Sequence, residues 1–122
     1  MMFQGLRTVI YKVSDIGQAK EWYARALGFG PYYDERDYVG FSVGGYELGL
    51  DPDTARQSPG LGGSVAYWGV ADIEAAVKHL QAIGATGAAA IADVGDGIRL
   101  AVLEDPFGNA LGVIENPHFK AD

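Results

Sequence analysis

A chain of 122 residues is the size of one domain, and a hydrophobic content of 48% can build a core without staples. The 16 acidic residues against 9 basic ones leave a formal charge of -7, which repels nucleic acid phosphates and argues against a nucleic acid partner. The lack of cysteine excludes disulfides, thiolate metal sites and thiol nucleophiles together.

Leu6 to Val13 is rich in branched residues and predicts a strand, after which Ser14-Asp15 offers a helix N-cap pair. The helix is expected to run to about Leu27, burying Ile16, Ala19, Tyr23, Ala26 and Leu27 with Trp22 at the flank, and to stop at Gly28. Three short strands follow, around Tyr32 to Asp34, Tyr38 to Val43 and Tyr46 to Leu50, with Gly44-Gly45 as a turn. Asp51 to Gly63 lacks periodicity and reads as a linker. The pattern then repeats. Val13-Ser14-Asp15-Ile16 is echoed by Val70-Ala71-Asp72-Ile73, and Ala26-Leu27-Gly28 by Ala82-Ile83-Gly84. The second helix is expected to bury Ile73, Ala76, Val77, Leu80 and Ile83, and strands are expected over Ala88 to Ala92, Ile98 to Leu103 and Leu111 to Ile114. The start, Met1 to Gly5, has no apolar core of signal-peptide length and no apolar run approaches a membrane span, so a soluble, cytoplasmic protein with no membrane partner is expected.

Val13-Ser14-Asp15, Trp22-Tyr23 before Leu27-Gly28-Phe29, Val70-Ala71-Asp72-Ile73, and Asp105-Pro106-Phe107-Gly108-Asn109 before the last strand occur here in one order. In that order they resemble the vicinal oxygen chelate superfamily, which includes glyoxalase I, extradiol dioxygenases, fosfomycin-resistance enzymes and bleomycin-resistance proteins. The resemblance covers nearly the whole chain. It implies an α+β fold in which two βαβββ modules, residues 1–54 and 62–122 of a single 1–122 domain, form a curled mixed sheet around a cavity, often in a homodimer.

Catalytic members hold a divalent metal on the first and last strands of each module. Carried over one at a time, the four ligand positions fall on Thr8, Glu47, Val65 and Gly112. Only Glu47 matches: a threonine hydroxyl is a poor ligand for zinc, nickel or iron, and valine and glycine offer no side-chain donor. Thr8 and Val65 stand at the same interval before Val13-Ser14-Asp15 and Val70-Ala71-Asp72, which supports the placement. The two histidines, His79 on a helix face and His118 in the tail, are read as solvated. No metal or other cofactor is expected.

Strand alternation sets Thr8 and Ile10, Glu47 and Gly49, Val65 and Tyr67, and Ala110, Gly112 and Ile114 on cavity-lining faces. Val9, Tyr11, Ala66, Trp68, Val70, Leu111 and Val113 then lie beneath the helices. The candidate ligand-binding residues are Thr8, Tyr33, Glu47, Val65, Tyr67, Phe107 and Gly112, with Tyr32, Tyr38 and Tyr46 as further aromatics near the cavity mouth. Glu47 as a ligand anchor competes with a structural reading in which it pairs with a residue such as Arg99. No nucleophile elbow, phosphate loop or dinucleotide fingerprint is present. The expected function is metal-free sequestration of an apolar, aromatic or cationic small molecule, antibiotic resistance being one setting. The alternatives are a lyase or dioxygenase-like enzyme with an unusual site, or an interaction module with a vestigial cavity.

Overall fold

The computed structural model describes residues 2, 4, 6–55, 57–63, 65–87 and 90–119. The chain divides into two compact units, Met1–Pro59 and Gly60–Asp122. The first contains β1 (Thr8–Lys12), α1 (Ile16–Leu27), β2 (Tyr33–Glu35), β3 (Tyr38–Val43) and β4 (Tyr46–Asp51). The second repeats that order with β5 (Ala66–Gly69), α2 (Ile73–Ala82), β6 (Ala92–Asp93), β7 (Arg99–Glu104) and β8 (Ala110–Glu115). The two βαβββ modules expected from the sequence are therefore present. Each has its own four-stranded mixed sheet, in the order β1-β4-β3-β2 in one and β5-β8-β7-β6 in the other. The first and last strands of a module pair in parallel, and the remaining pairs are antiparallel.

Local chemistry explains the boundaries. The Asp15 carboxylate accepts from the Gln18 backbone N–H at 3.0 Å, and Asp72 accepts from Ala75 at 3.1 Å, so each helix starts on a side-chain cap. Gly28 ends α1 in the left-handed region at φ 88° and returns its N–H to the Ala24 carbonyl at 2.9 Å. Between β3 and β4, Gly44 and Gly45 take φ values of 59° and 90°, the double left-handed conformation that a two-residue hairpin requires. Of the expected strand over Ala88 to Ala92, Ala88 and Ala89 lie outside the described residues, Ala90 and Ile91 are not in a strand, and β6 begins at Ala92; among the described residues Thr86 also bridges Glu104.

Each helix covers one face of its own module's sheet. Under α1 lie Tyr11, Val13, Val39, Phe41, Leu48 and Leu50, all buried, against Ala19, Trp22 and Tyr23 of the helix. Trp22 belongs to this core rather than to its flank: it is only 3% exposed, and its ring meets Tyr23 edge-on at 4.8 Å. Ile16, Ala26 and Leu27 are half-buried, so the buried stripe of α1 is rotated toward Trp22. In the second module Ile73, Val77 and Leu80 of α2 pack with Ala101, Leu103, Leu111 and Val113, while Ala76 and Ile83 remain half-buried. Val9 departs from its expected place beneath a helix: it stands on the edge strand β1 and is 41% exposed. No helix among the described residues is long and apolar enough to cross a membrane.

Candidate functional site

The face of the first sheet turned away from α1 carries Thr8, Ile10 and Lys12 from β1, Glu47, Gly49 and Asp51 from β4, Tyr38, Gly40 and Ser42 from β3, and Tyr33 from β2. Register aligns them in rows. Thr8 and Ser42 flank Glu47, and Ile10 and Gly40 flank Gly49, with Tyr33 opposite Gly40. Two glycines side by side leave a depression, and tyrosine rings fill it. A Cβ on Gly49 would lie 2.6 Å from Tyr38 Cζ and 2.9 Å from its Cε1, and one on Gly40 would lie 3.2 Å from Tyr32 Cε1. Tyr38 lies against the buried Gly49, the arrangement in which an aromatic ring restores the packing that a strand glycine lacks.

The Glu47 carboxylate sits among these rings. The Tyr32 hydroxyl donates to Oε1, and the Tyr38 hydroxyl donates to Oε2 at 2.5 Å. Tyr33 supports Tyr38 from the side, with ring centroids 6.1 Å apart and a T-shaped geometry. The hydrogen bond to Glu47 raises the Tyr32 phenol above its ordinary range, with burial and the nearby negative charge adding to it. For Tyr38 burial is the larger cause and Glu47 the second, and the phenol is again pushed upward. Both hydroxyls thus keep their protons and remain donors. On the same face Lys12 Nζ reaches Asp51 Oδ2 at 2.8 Å, and Asp51 is held below its usual carboxylate range chiefly by that contact.

Glu47 takes its hydroxyl partners within its own module, and Arg99, the structural partner offered as an example for it, is engaged within the other. Arg99 bonds Glu115, its register partner on β8, with Nη2 3.0 Å from Oε2, and it also bonds Glu74 at the start of α2, with Nη2 3.1 Å from Oε2. Glu115 also accepts from the Ile73 N–H at 3.0 Å, so the group ties β7, β8 and α2 together. Asp72, Glu74 and Glu115 bring carboxylate oxygens within 4.8 Å of one another, but the Arg99 guanidinium stands among them. The cluster reads as structural.

In the second module Val65 is half-buried just before β5, Tyr67 is exposed at 45% in β5, and Gly112 is buried opposite it in β8. Here too a ring covers a glycine: a Cβ on Gly112 would lie 2.7 Å from Tyr67 Cδ1. Phe107 is half-buried in the β7–β8 turn, where its N–H donates to the buried Asp105 at 2.9 Å. Asn109 also donates its N–H to Asp105, at 2.8 Å, so Asp105 and Asn109 together form the turn. The sequence candidates therefore form two groups, Thr8, Tyr33 and Glu47 in one module and Val65, Tyr67, Phe107 and Gly112 in the other. Tyr46 lies on the helix-side alternation of β4, apart from the Glu47 face.

Register also refines the comparison between modules. Gly112 pairs with Tyr67, two residues beyond Val65, and in the first module the residue paired two beyond Thr8 is Gly49. Gly49, rather than Glu47, is thus the register counterpart of Gly112, and both glycines lie under tyrosine rings. Neither module by itself offers a donor set that fits a divalent metal: at these positions the first brings one carboxylate, Glu47, and the second none. A side chain able to ligate from residue 49 or 112 would have to enter the space that Tyr38 or Tyr67 fills, and Thr8 and Val65 add at most one weak hydroxyl.

Residues 5–113 match the family described as the Glyoxalase/Bleomycin resistance protein/Dioxygenase superfamily. Among solved structures, a glyoxalase-related enzyme from Fulvimarina pelagi aligns with a TM-score of 0.78 at 14% identity, over 98% of this chain and 94% of that one. A member of the glyoxalase/bleomycin resistance protein/dioxygenase superfamily from Sphaerobacter thermophilus aligns with a TM-score of 0.76 at 22% identity, over 95% and 100% of the two chains. A lactoylglutathione lyase from Agrobacterium tumefaciens aligns with a TM-score of 0.75 at 16% identity, over 98% and 100%. Comparison with curated protein sequences gives no match. At these identities the structural likenesses speak to fold alone.

Proposed function

The chain belongs to the glyoxalase/bleomycin resistance protein/dioxygenase superfamily, and from that premise we propose that it is a metal-free small-molecule binding protein that acts by sequestration. The observation that carries this reading is the seating of Tyr38 on Gly49 and of Tyr67 on Gly112, which replaces potential metal-ligand positions with aromatic surface. Such surface, with one carboxylate and a few hydroxyls placed among the rings, suits recognition of an organic molecule. The open face of the first sheet, with Tyr32, Tyr33, Tyr38 and Glu47, is the ligand surface. Thr8 and Ser42 flank Glu47 as further polar groups. A general-base role for Glu47 is disfavoured because both of its oxygens already accept from hydroxyls. We assign the protein to the cytoplasm on its cysteine-free composition and to a homodimer on the family resemblance, a state that light scattering after gel filtration would establish.

A thermal-shift screen of metal-stripped protein tests the function, since a compound that binds only the native state raises the melting temperature. Stabilisation by aromatic or cationic organic compounds but not by zinc, nickel, iron or manganese is the expected result. Strong stabilisation by one metal would overturn the assignment.

A further inference from the structure

We propose that the Glu47 carboxylate, flanked by the rings of Tyr32 and Tyr38, is a recognition site for an organic ammonium ion carried on a small aromatic or apolar body. This rests on the reading of the open face as a ligand surface and names the class of ligand it takes. Charge balance is the first argument. Both partners of the carboxylate are neutral hydroxyls, and none of the ion pairs among the described residues includes Glu47. Of the nearby cations, Arg7 precedes Thr8 and turns its guanidinium to oxygens of Gln4 and Leu6, and Lys12, on the same face as Glu47, is joined to Asp51 at 2.8 Å, so that pair is neutral as a unit. A half-buried anion is left with its charge uncompensated, and partial burial strengthens its attraction for a cation relative to bulk water.

The surroundings select the kind of cation. Tyrosine rings carry negative faces that attract ammonium groups, and Tyr32, Tyr33 and Tyr38 all stand on or beside this face. A bare divalent ion would find a single carboxylate and hydroxyl oxygens, well short of the about six oxygen ligands that calcium or magnesium takes. An anion would meet the Glu47 charge directly. A neutral alcohol would have to compete with two hydroxyls already bonded to the same oxygens, exchanging like for like. An ammonium ion instead adds a charge-assisted interaction that the tyrosine donors cannot supply. The raised phenol pKa values agree, because neither tyrosine releases a proton that would alter the charge near neutral pH.

Three probes of one shape separate these cases: benzylamine, which is protonated at neutral pH, benzyl alcohol and benzoate. Each is titrated into the isotopically labelled full chain, with amide and tyrosine ring resonances followed by NMR. The expected result is binding of benzylamine at least about tenfold tighter than of the other two, with the largest shifts at residues 32, 38 and 47. Glu47→Gln should abolish the preference. Tyr32→Phe, which keeps the charge and removes a competing donor, should preserve or raise benzylamine affinity, whereas a purely structural role for the cluster would lower it. Equal or tighter binding of benzyl alcohol or benzoate at those residues would overturn the cation assignment and leave the ligand-surface reading standing. If none of the three shifts these resonances, both fall. A preference that survives Glu47→Gln places the cation elsewhere and also overturns the proposal.

Discussion

Gly49→Ala examines the seat of Tyr38 with a single methyl group. Gly49 has ordinary strand backbone and is absent from the left-handed residues, so alanine carries no dihedral penalty there. By restricting the unfolded chain it would stabilise by about 0.4–1 kcal/mol if the space were open. The space is filled: the new Cβ would lie 2.6 Å from Tyr38 Cζ, well inside contact distance, so the ring must leave its seat. Overpacking of this kind costs about 1–3 kcal/mol. Displacement also breaks the bond from Tyr38 to the Glu47 carboxylate, adding about 1–2 kcal/mol after the freed hydroxyl is rehydrated. After the unfolded-state gain is subtracted, the net expectation is a loss of about 2–3 kcal/mol. Tyr38→Ala removes the obstacle, and in that background the same Gly49→Ala change should be neutral or stabilising. Urea denaturation of the four proteins of this cycle, followed by far-UV circular dichroism, should give a coupling of about 2–3 kcal/mol with unchanged slopes. A Gly49→Ala cost that is the same in both backgrounds, or no cost in the parent, would refute the seating of the ring.

Three further outcomes follow from contacts already described. Asp105→Ala strips the acceptor from the Phe107 and Asn109 N–H groups of a turn whose aspartate is 2% exposed, and it should cost about 2–4 kcal/mol in chemical denaturation, with Asp105→Asn milder. Glu74 is held below its ordinary 4.5 chiefly by Arg99, and Glu115 is lowered chiefly by the Ile73 N–H and then by Arg99. Their contribution is present above about pH 4.5 and is lost as pH falls through the depressed folded values. Arg99→Met should therefore cost more stability near neutral pH than at about pH 3, and an equal cost at both would refute the coupling. Phenolate absorbance should show two tyrosines that ionise above the ordinary phenol range, and Glu47→Gln should move both back toward it. Raised phenol pKa values also mean that stability from these hydrogen bonds is intact below about pH 10 and declines as pH rises through the folded values.

Much of the fold was legible because its signals are local. Asp15 and Asp72 are caps whose chemistry is contained in one turn, Gly44-Gly45 admits few turn geometries, and the repetition of strand, helix and three strands shows in the spacing of these markers. The misplacement of Trp22 has a different origin: helical periodicity gives the buried stripe only to within about one residue's rotation, and the large ring sets the final angle. Arg99, the example partner for Glu47, is engaged within its own module: on β7 it is paired in register with Glu115 on the helix-side face. For the candidate site, the sequence marked Glu47 and the surrounding aromatics but not their bonds. Tyr32 and Tyr38 reach Glu47 diagonally, over Gly40 and Gly49, and the direction of a side chain across a glycine pair is settled by packing. One signal was available in retrospect: a tyrosine beside glycines on the adjacent strand, seen in Tyr38 with Gly49 and in Tyr67 with Gly112.

The parallel pairing of β1 with β4 has a bearing on how each module reaches its native state. Lys12 and Asp51 meet across 39 residues of chain, whereas β3 and β4 join through a two-glycine turn. Closing the long loop loses more chain entropy than forming the hairpin, so the hairpin is the inexpensive early step and β1 docks late. The same order applies to the second module, where β5 must wait for β8. Until that docking, the inner edge of β4 exposes unpaired backbone groups, and a nascent chain has released all of the first module's strands before its first strand can be enclosed. The edge strand, first of its module in chain order, is thus among the last to be secured, and it is where slow folding and pairing with another copy would begin.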